Sequence, residues 1–148
     1  MIAKNATDLG SPVIPQLTFG QLMASGDYDR HIRSIRVHQR KRRDALLEAL
    51  REQLPTAQIQ GVAARLHLVV TLPDAAGGDD VALAARVLAA GVRVQPLSIH
   101  RMRPGRPGLV LGYAAETPDR LRVAARRIAT AMLAGRPDAN RSTLGTTA

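Results

Sequence analysis

The 148-residue sequence predicts an α+β fold: a small, largely antiparallel sheet with helices on one face, preceded by a long amphipathic helix. Three observations carry this. The stretch from Asp27 to Leu54 is the longest uninterrupted helical pattern in the chain. Leu66, Leu68, Val70 and Leu72 alternate as in a strand with one buried face. Thr117-Pro118 opens a last helix on which Leu121, Ala124, Ala125, Ile128 and Met132 form one stripe.

The remaining elements follow in order. Residues 1–11 are polar and lack periodicity. Gln16 to Met23 suits a short helix, with Leu22 and Met23 three and four residues after Phe19, and Ser25-Gly26 ends it. Asp27 or Asp29 starts the long helix, where a carboxylate accepts free backbone N–H groups, and Leu54-Pro55 stops it. On that helix Ile32, Ile35, Leu46, Ala49 and Leu50 share a face with Gln39 and Gln53, an arrangement that predicts a buried stripe. Gln58 to Gln60 is a short strand, and 66–72 is the clearest one. A Gly- and Asp-rich loop from Pro73 to Asp80 caps a helix from Val81 to Ala90, which Gly91 closes. Val92 to Leu97 and Gly108 to Ala114 are two further strands. From Gly135 the tail is polar and is expected to be disordered. The domain plan is an N-terminal segment over 1–26, a unit over 27–134 and a tail over 135–148.

Composition narrows the function. Apolar residues make up 45% of the chain but aromatics only 2%, so the core is aliphatic. With Phe19, Tyr28 and Tyr113 alone, modules that stack bases on rings are disfavoured. Without cysteine there are neither disulfides nor thiolate metal sites. No run is long and apolar enough to span a membrane and no signal core follows Met1, so a soluble cytoplasmic protein is expected.

The formal charge of +9 is carried by arginine, since lysine stands only at positions 4 and 41. Between Arg30 and Arg43 there are six Arg and one Lys and no acid. Arg30, Arg33, Arg36, Arg40 and Arg43 therefore make this helix a candidate interface, for nucleic acid or for an acidic protein surface. The plainer reading is a solvated face. Its pattern suits neither a paired recognition helix nor a basic region with a zipper, because the apolar stripe runs through the basic stretch without heptads.

No catalytic constellation emerges. His31, His38, His67 and His100 lack ligand spacing, and no metal site is expected. No glycine-rich loop links a strand to a helix with phosphate-cradling spacing. Arg101, Arg103 and Arg106 sit in a Pro-broken loop where they offer an anion contact or a simple exposed surface.

One order of motifs is more specific than any of its parts. Ser25-Gly26-Asp27-Tyr28-Asp29-Arg30-His31-Ile32-Arg33 is followed by Arg42-Arg43-Asp44-Ala45-Leu46, Gly61-Val62-Ala63-Ala64, Leu66-His67-Leu68, Gly91-Val92, Pro96-Leu97-Ser98 and Leu111-Gly112-Tyr113-Ala114. This series, over about residues 12–134, resembles the C-terminal part of MocR-type regulators, which join a GntR-type winged helix to a PLP-dependent, fold-type I aminotransferase-like domain.

The resemblance implies the small domain of that fold with the helix leading into it. The PLP-binding lysine and the aspartate that pairs with the pyridine nitrogen would lie upstream, in a large domain, and the winged helix further upstream still. It implies no cofactor bound by this chain alone and PLP in a complete member. The implied partner is the missing large domain or a second subunit of a dimer, as for a truncated product or separately encoded remnant. The sequence departs from the family at Arg65, where glycine is common in a loop toward the cleft, which makes Arg65 a candidate effector-side or anion contact with Arg103 and Arg106. It departs also at Gln39, where the long helix has tyrosine, and at Val110, where members that bind a substrate carboxylate commonly have arginine. The leading expectation is thus a domain that closes over PLP and an amino-acid-like effector and is inactive alone. The alternative is a small basic module that binds nucleic acid or an acidic partner through Arg30 to Arg43.

Overall fold

The structure, a computed structural model, describes residues 13–61, 66–71 and 78–134. Their elements are α1 (Val13–Ala24), α2 (Asp27–Gln53), β1 (Gln58–Gln60), β2 (His67–Thr71), α3 (Asp80–Ala89), β3 (Gln95–Pro96), a 3-10 turn (Ser98–His100), β4 (Gly108–Gly112) and α4 (Pro118–Leu133). The chain divides after His38 into two units. The second holds the sheet and the core.

In the first unit, α1 begins three residues earlier than the apolar spacing predicts. Pro15 falls in its opening turn, where backbone N–H groups have no helical acceptor in any case, so its missing donor costs nothing. Gly26, at φ 75°, ends the helix by donating its N–H to the Met23 carbonyl at 3.2 Å. Its own carbonyl then accepts the Arg30 N–H at 3.2 Å and begins α2. Asp27 accepts from Ser25 Oγ at 2.7 Å and from the Arg30 guanidinium. These two contacts hold its carboxyl below the ordinary range.

The long helix departs from expectation in what it buries. Ala45, Leu46, Leu47, Ala49 and Leu50 are buried, whereas Ile32 is half-buried and Ile35 and Val37 are exposed. Periodicity reports which side of a helix is apolar and cannot report how far the covering layer extends. The core cluster begins at Leu46.

In the second unit the sheet order is β1-β2-β4-β3, with every neighbouring pair antiparallel. Leu68 lies opposite Leu111 and Val70 opposite Leu109, so the four point to one face. They join Leu50, Val87, Leu121 and Ile128 in a single aliphatic core whose one aromatic is Tyr113. The opposite face carries Val69 and Val110, paired across the strands and half-buried, flanked by Gln60 and Gln95.

Three strands are shorter than predicted, and of these β4 ends at Gly112 instead of Ala114. β2 begins at His67, Leu66 is 49% exposed, and Leu72 lies outside the described residues. β3 keeps only Gln95 and Pro96 of the expected 92–97. Gly91, at φ 81°, closes α3 with paired bonds: Gly91 N–H to the Leu88 carbonyl at 2.8 Å and Val92 N–H to Val87 at 3.1 Å. Val92 is therefore committed to the helix end, and Pro96 has no N–H to give the ladder.

Two adjacent aspartates fix the start of α3. Asp79 is the cap, accepting from Val81 N–H at 2.9 Å and Ala82 N–H at 3.0 Å. Asp80 turns inward and is 3% exposed. Its carboxylate accepts from the Ser98 hydroxyl, from Ser98 N–H at 3.0 Å and from Gly108 N–H at 3.0 Å. Burial pushes its pKa up, but these bonds and the nearby Arg101 charge prevail and hold it below the ordinary 3.8. The stabilisation is complete above the unfolded-state pKa and is lost as pH falls through the lower folded value. Asp80→Ala, which strands the buried Gly108 N–H and the part-buried Ser98 N–H, is expected to lower the urea-unfolding free energy by about 3 kcal/mol. Between pH of about 5 and 2 the wild-type chain should lose stability more steeply than Asp80→Asn.

Candidate functional site

A cleft of about 730 Å3 lies at one end of the second unit's sheet. Three local structures build it. The antiparallel register sets His67 against Gly112, which places the first residues of β2 beside the end of β4. The closing turn of α3 brings Gly91 to Arg93 to the rim. Thr117 caps α4 through Arg120 N–H at 3.4 Å, and the helix then sends Arg120, Val123 and Arg127 into the wall. Leu66, Val92 and Leu121 make the lining largely aliphatic. Of the charged groups, Arg120 pairs with Glu116 at 3.0 Å, and Arg127 donates to the Ala90 carbonyl at 3.3 Å. Arg93 has no side-chain hydrogen bond or ion pair among the described residues.

Of the arginines singled out from sequence, those among the described residues do not line this cleft, whereas His67 does. Arg65 is outside the described residues. Arg103 is exposed and lines a small hollow of about 320 Å3 with Arg101, Ser98 and Gly105. Arg106 is exposed and does not line it; its carbonyl accepts from the Arg101 guanidinium, which folds the loop around Arg101. On α2, Arg30 is paired with Asp27. Arg33, Arg36 and Arg40 are exposed, with no side-chain bond among the described residues. Arg43 is half-buried and pairs with Asp44 at 2.7 Å.

Two residues on the same helix have a role that charge counting does not reveal. Arg42 is half-buried and donates to the Ala114 carbonyl at 2.6 Å, just past β4. Gln39 reaches the same carbonyl at 3.4 Å, while its Oε1 is buried without a partner. Neighbouring Tyr113 is 3% exposed, and burial raises its pKa against the opposing charge of Arg43. A sequence signal existed for Arg42, which sits on the Leu46–Leu50 side of the helix rather than on its outer arc.

Histidine positions add no metal centre. His31 is exposed, and His38 Nδ1 contacts the Ser34 carbonyl at 2.8 Å. Among the described residues no group of three or more His, Asp or Glu could hold a metal ion, and no helix is long and apolar enough to cross a membrane.

No family model matches the sequence. Solved structures do match the fold. A kynurenine aminotransferase from Pyrococcus horikoshii, solved in complex with PMP, is 29% identical over 90% of this chain, with a TM-score of 0.78. A multiple substrate aminotransferase from Thermococcus profundus is 28% identical over 90%, with a TM-score of 0.77. The α-aminoadipate aminotransferase of Thermus thermophilus is 25% identical over 89%, with a TM-score of 0.72. The fold is that of an aminotransferase fragment. The chain covers 33–34% of the length of these three proteins.

These relatives raise the question of PLP chemistry here. Lys41 is exposed on α2 and lines none of the hollows described above.

Arg42 anchors the long helix to the end of β4, and Arg36 does not. Arg42→Ala is expected to lower the unfolding free energy by about 1–2 kcal/mol. Arg36→Ala should change it by less than about 0.5 kcal/mol in the same urea titration.

Proposed function

We propose that this chain is the small domain of a PLP-dependent, MocR-type regulator, in which it closes over PLP and an amino-acid-like effector and contributes to a dimer. Alone it does not transaminate, because the lysine and the pyridine-binding aspartate belong to a large domain. The regulator assignment rests on the motif series from Ser25 to Ala114, and the aminotransferase part on the solved folds.

One observation supports a missing partner most directly. α1 exposes Val13, Ile14, Leu17, Phe19, Leu22 and Met23, each between 42% and 78%. No residue of this helix is buried. A helix with apolar side chains on every side normally lies inside a larger body. On this reading a large aminotransferase-like domain or a second subunit covers it. The effector-facing side would be the open face of the sheet. There β4 presents Val110 instead of a guanidinium, so a carboxylate effector would be held by other residues.

Incubating the purified chain with PLP, reducing with borohydride and weighing the product tests the inactive-alone reading. No stoichiometric adduct is expected. A single full adduct on Lys4 or Lys41 would overturn it.

The exposed Arg33, Arg36 and Arg40 favour a second reading, docking of nucleic acid or an acidic surface on α2. If it holds, affinity for duplex DNA falls linearly with log salt, and replacing the three by alanine flattens that slope by about 3. A slope unchanged in the triple variant retires this reading.

A further inference from the structure

We infer that the cleft at the sheet's end binds a small amphiphilic anion, a phosphate or carboxylate group carried on an apolar body. The inference does not depend on the function proposed above. It rests on an imbalance of charge around a surface that is otherwise aliphatic.

Three guanidiniums, Arg93, Arg120 and Arg127, line the cleft with one carboxylate, Glu116. Glu116 is engaged by Arg120 at 3.0 Å, which leaves Arg93 and Arg127 without a counter-charge among the described residues of the wall. Arg127 uses one nitrogen on the Ala90 carbonyl, at 3.3 Å, and keeps further donors. An anion in the cleft supplies a counter-charge to Arg93 and Arg127, and planar guanidiniums match phosphate or carboxylate oxygens two at a time.

The apolar half of the ligand follows from the same wall. Leu66 and Val123 are 49% and 38% exposed there, and Val92 and Leu121 lie beside them. A volume of about 730 Å3 is within the range of roughly 300–1,000 Å3 usual for small-molecule sites. Concavity of this size favours a small molecule over a flat macromolecular surface.

The test is an NMR titration of the isotopically labelled full chain with hexyl phosphate, inorganic phosphate and hexanol. Hexyl phosphate should shift amides of Gly91 to Arg93 and Ala114 to Glu116, and should bind at least about tenfold tighter than either half-ligand. Arg93→Ala, which removes no bond of the fold, should weaken it about threefold, and Arg93→Ala with Arg127→Ala at least about tenfold. Arg33→Ala with Arg36→Ala should leave it unchanged. Shifts centred elsewhere, hexanol binding as tightly as hexyl phosphate, or Arg93 variants that bind like wild type would each overturn the assignment. Binding to anionic phospholipid vesicles without any response to hexyl phosphate would also overturn it.

Discussion

The carboxylate of Asp80 is the constraint on which the architecture of the second unit turns. Three parts of the chain distant in sequence meet there: the start of α3, the 3-10 turn after β3, and the first residue of β4. A neutral amide oxygen could accept from two of those donors. An ionised carboxylate satisfies three and draws further support from Arg101. The pairing of β4 with β2 and the packing of Leu97 leave no space for a side chain at position 108, where a Cβ would lie 2.6 Å from the Val70 carbonyl. The strand pairing, the helix start and the glycine thus specify one another. That mutual consistency is what a unique fold requires of a sequence with so few aromatics.

A second junction ties the long helix to the sheet. Arg42 and Gln39 share the Ala114 carbonyl, Arg43 pairs with Asp44, and Tyr113 is buried next to them. The Arg42-Arg43-Asp44 and Leu111-Gly112-Tyr113-Ala114 motifs, about seventy residues apart in sequence, are therefore one structural feature. The basic helix divides accordingly. Arg42 and Arg43 face the folded unit, while Arg33, Arg36 and Arg40 face solvent. A charge total over the whole helix conflates the two populations.

Local rules made much of the fold legible. Alternation found β2, Thr117-Pro118 found the start of α4, and Gly26 and Gly91 marked helix ends, because each signal acts within a few residues. What was hidden is long-range. An acidic pair before a helix announces a cap without telling which member turns inward, since Ser98 and Gly108 are unknown partners until the chain has folded. The exposed Ile35 has the same origin: a periodic stripe says nothing of the neighbour that covers it. The cleft was least legible of all. Arg93, Arg120 and Arg127 come from a turn and a helix with no shared motif, and only the packing of α3 and α4 against the strand ends assembles them.

The strand order has a consequence in time. β2 and β3 do not pair with each other; each borders β4, the last strand to be made. During synthesis from the N-terminus, the β1–β2 ladder can form early, yet its inner edge must wait until Gly112 has emerged. A nascent chain stalled anywhere between Thr71 and Gly108 therefore carries an unprotected sheet edge beside the apolar residues that will become its core. The quarter of the chain that includes β4 and α4 does more than complete the fold: its arrival ends the interval in which the polypeptide is most open to the wrong partner.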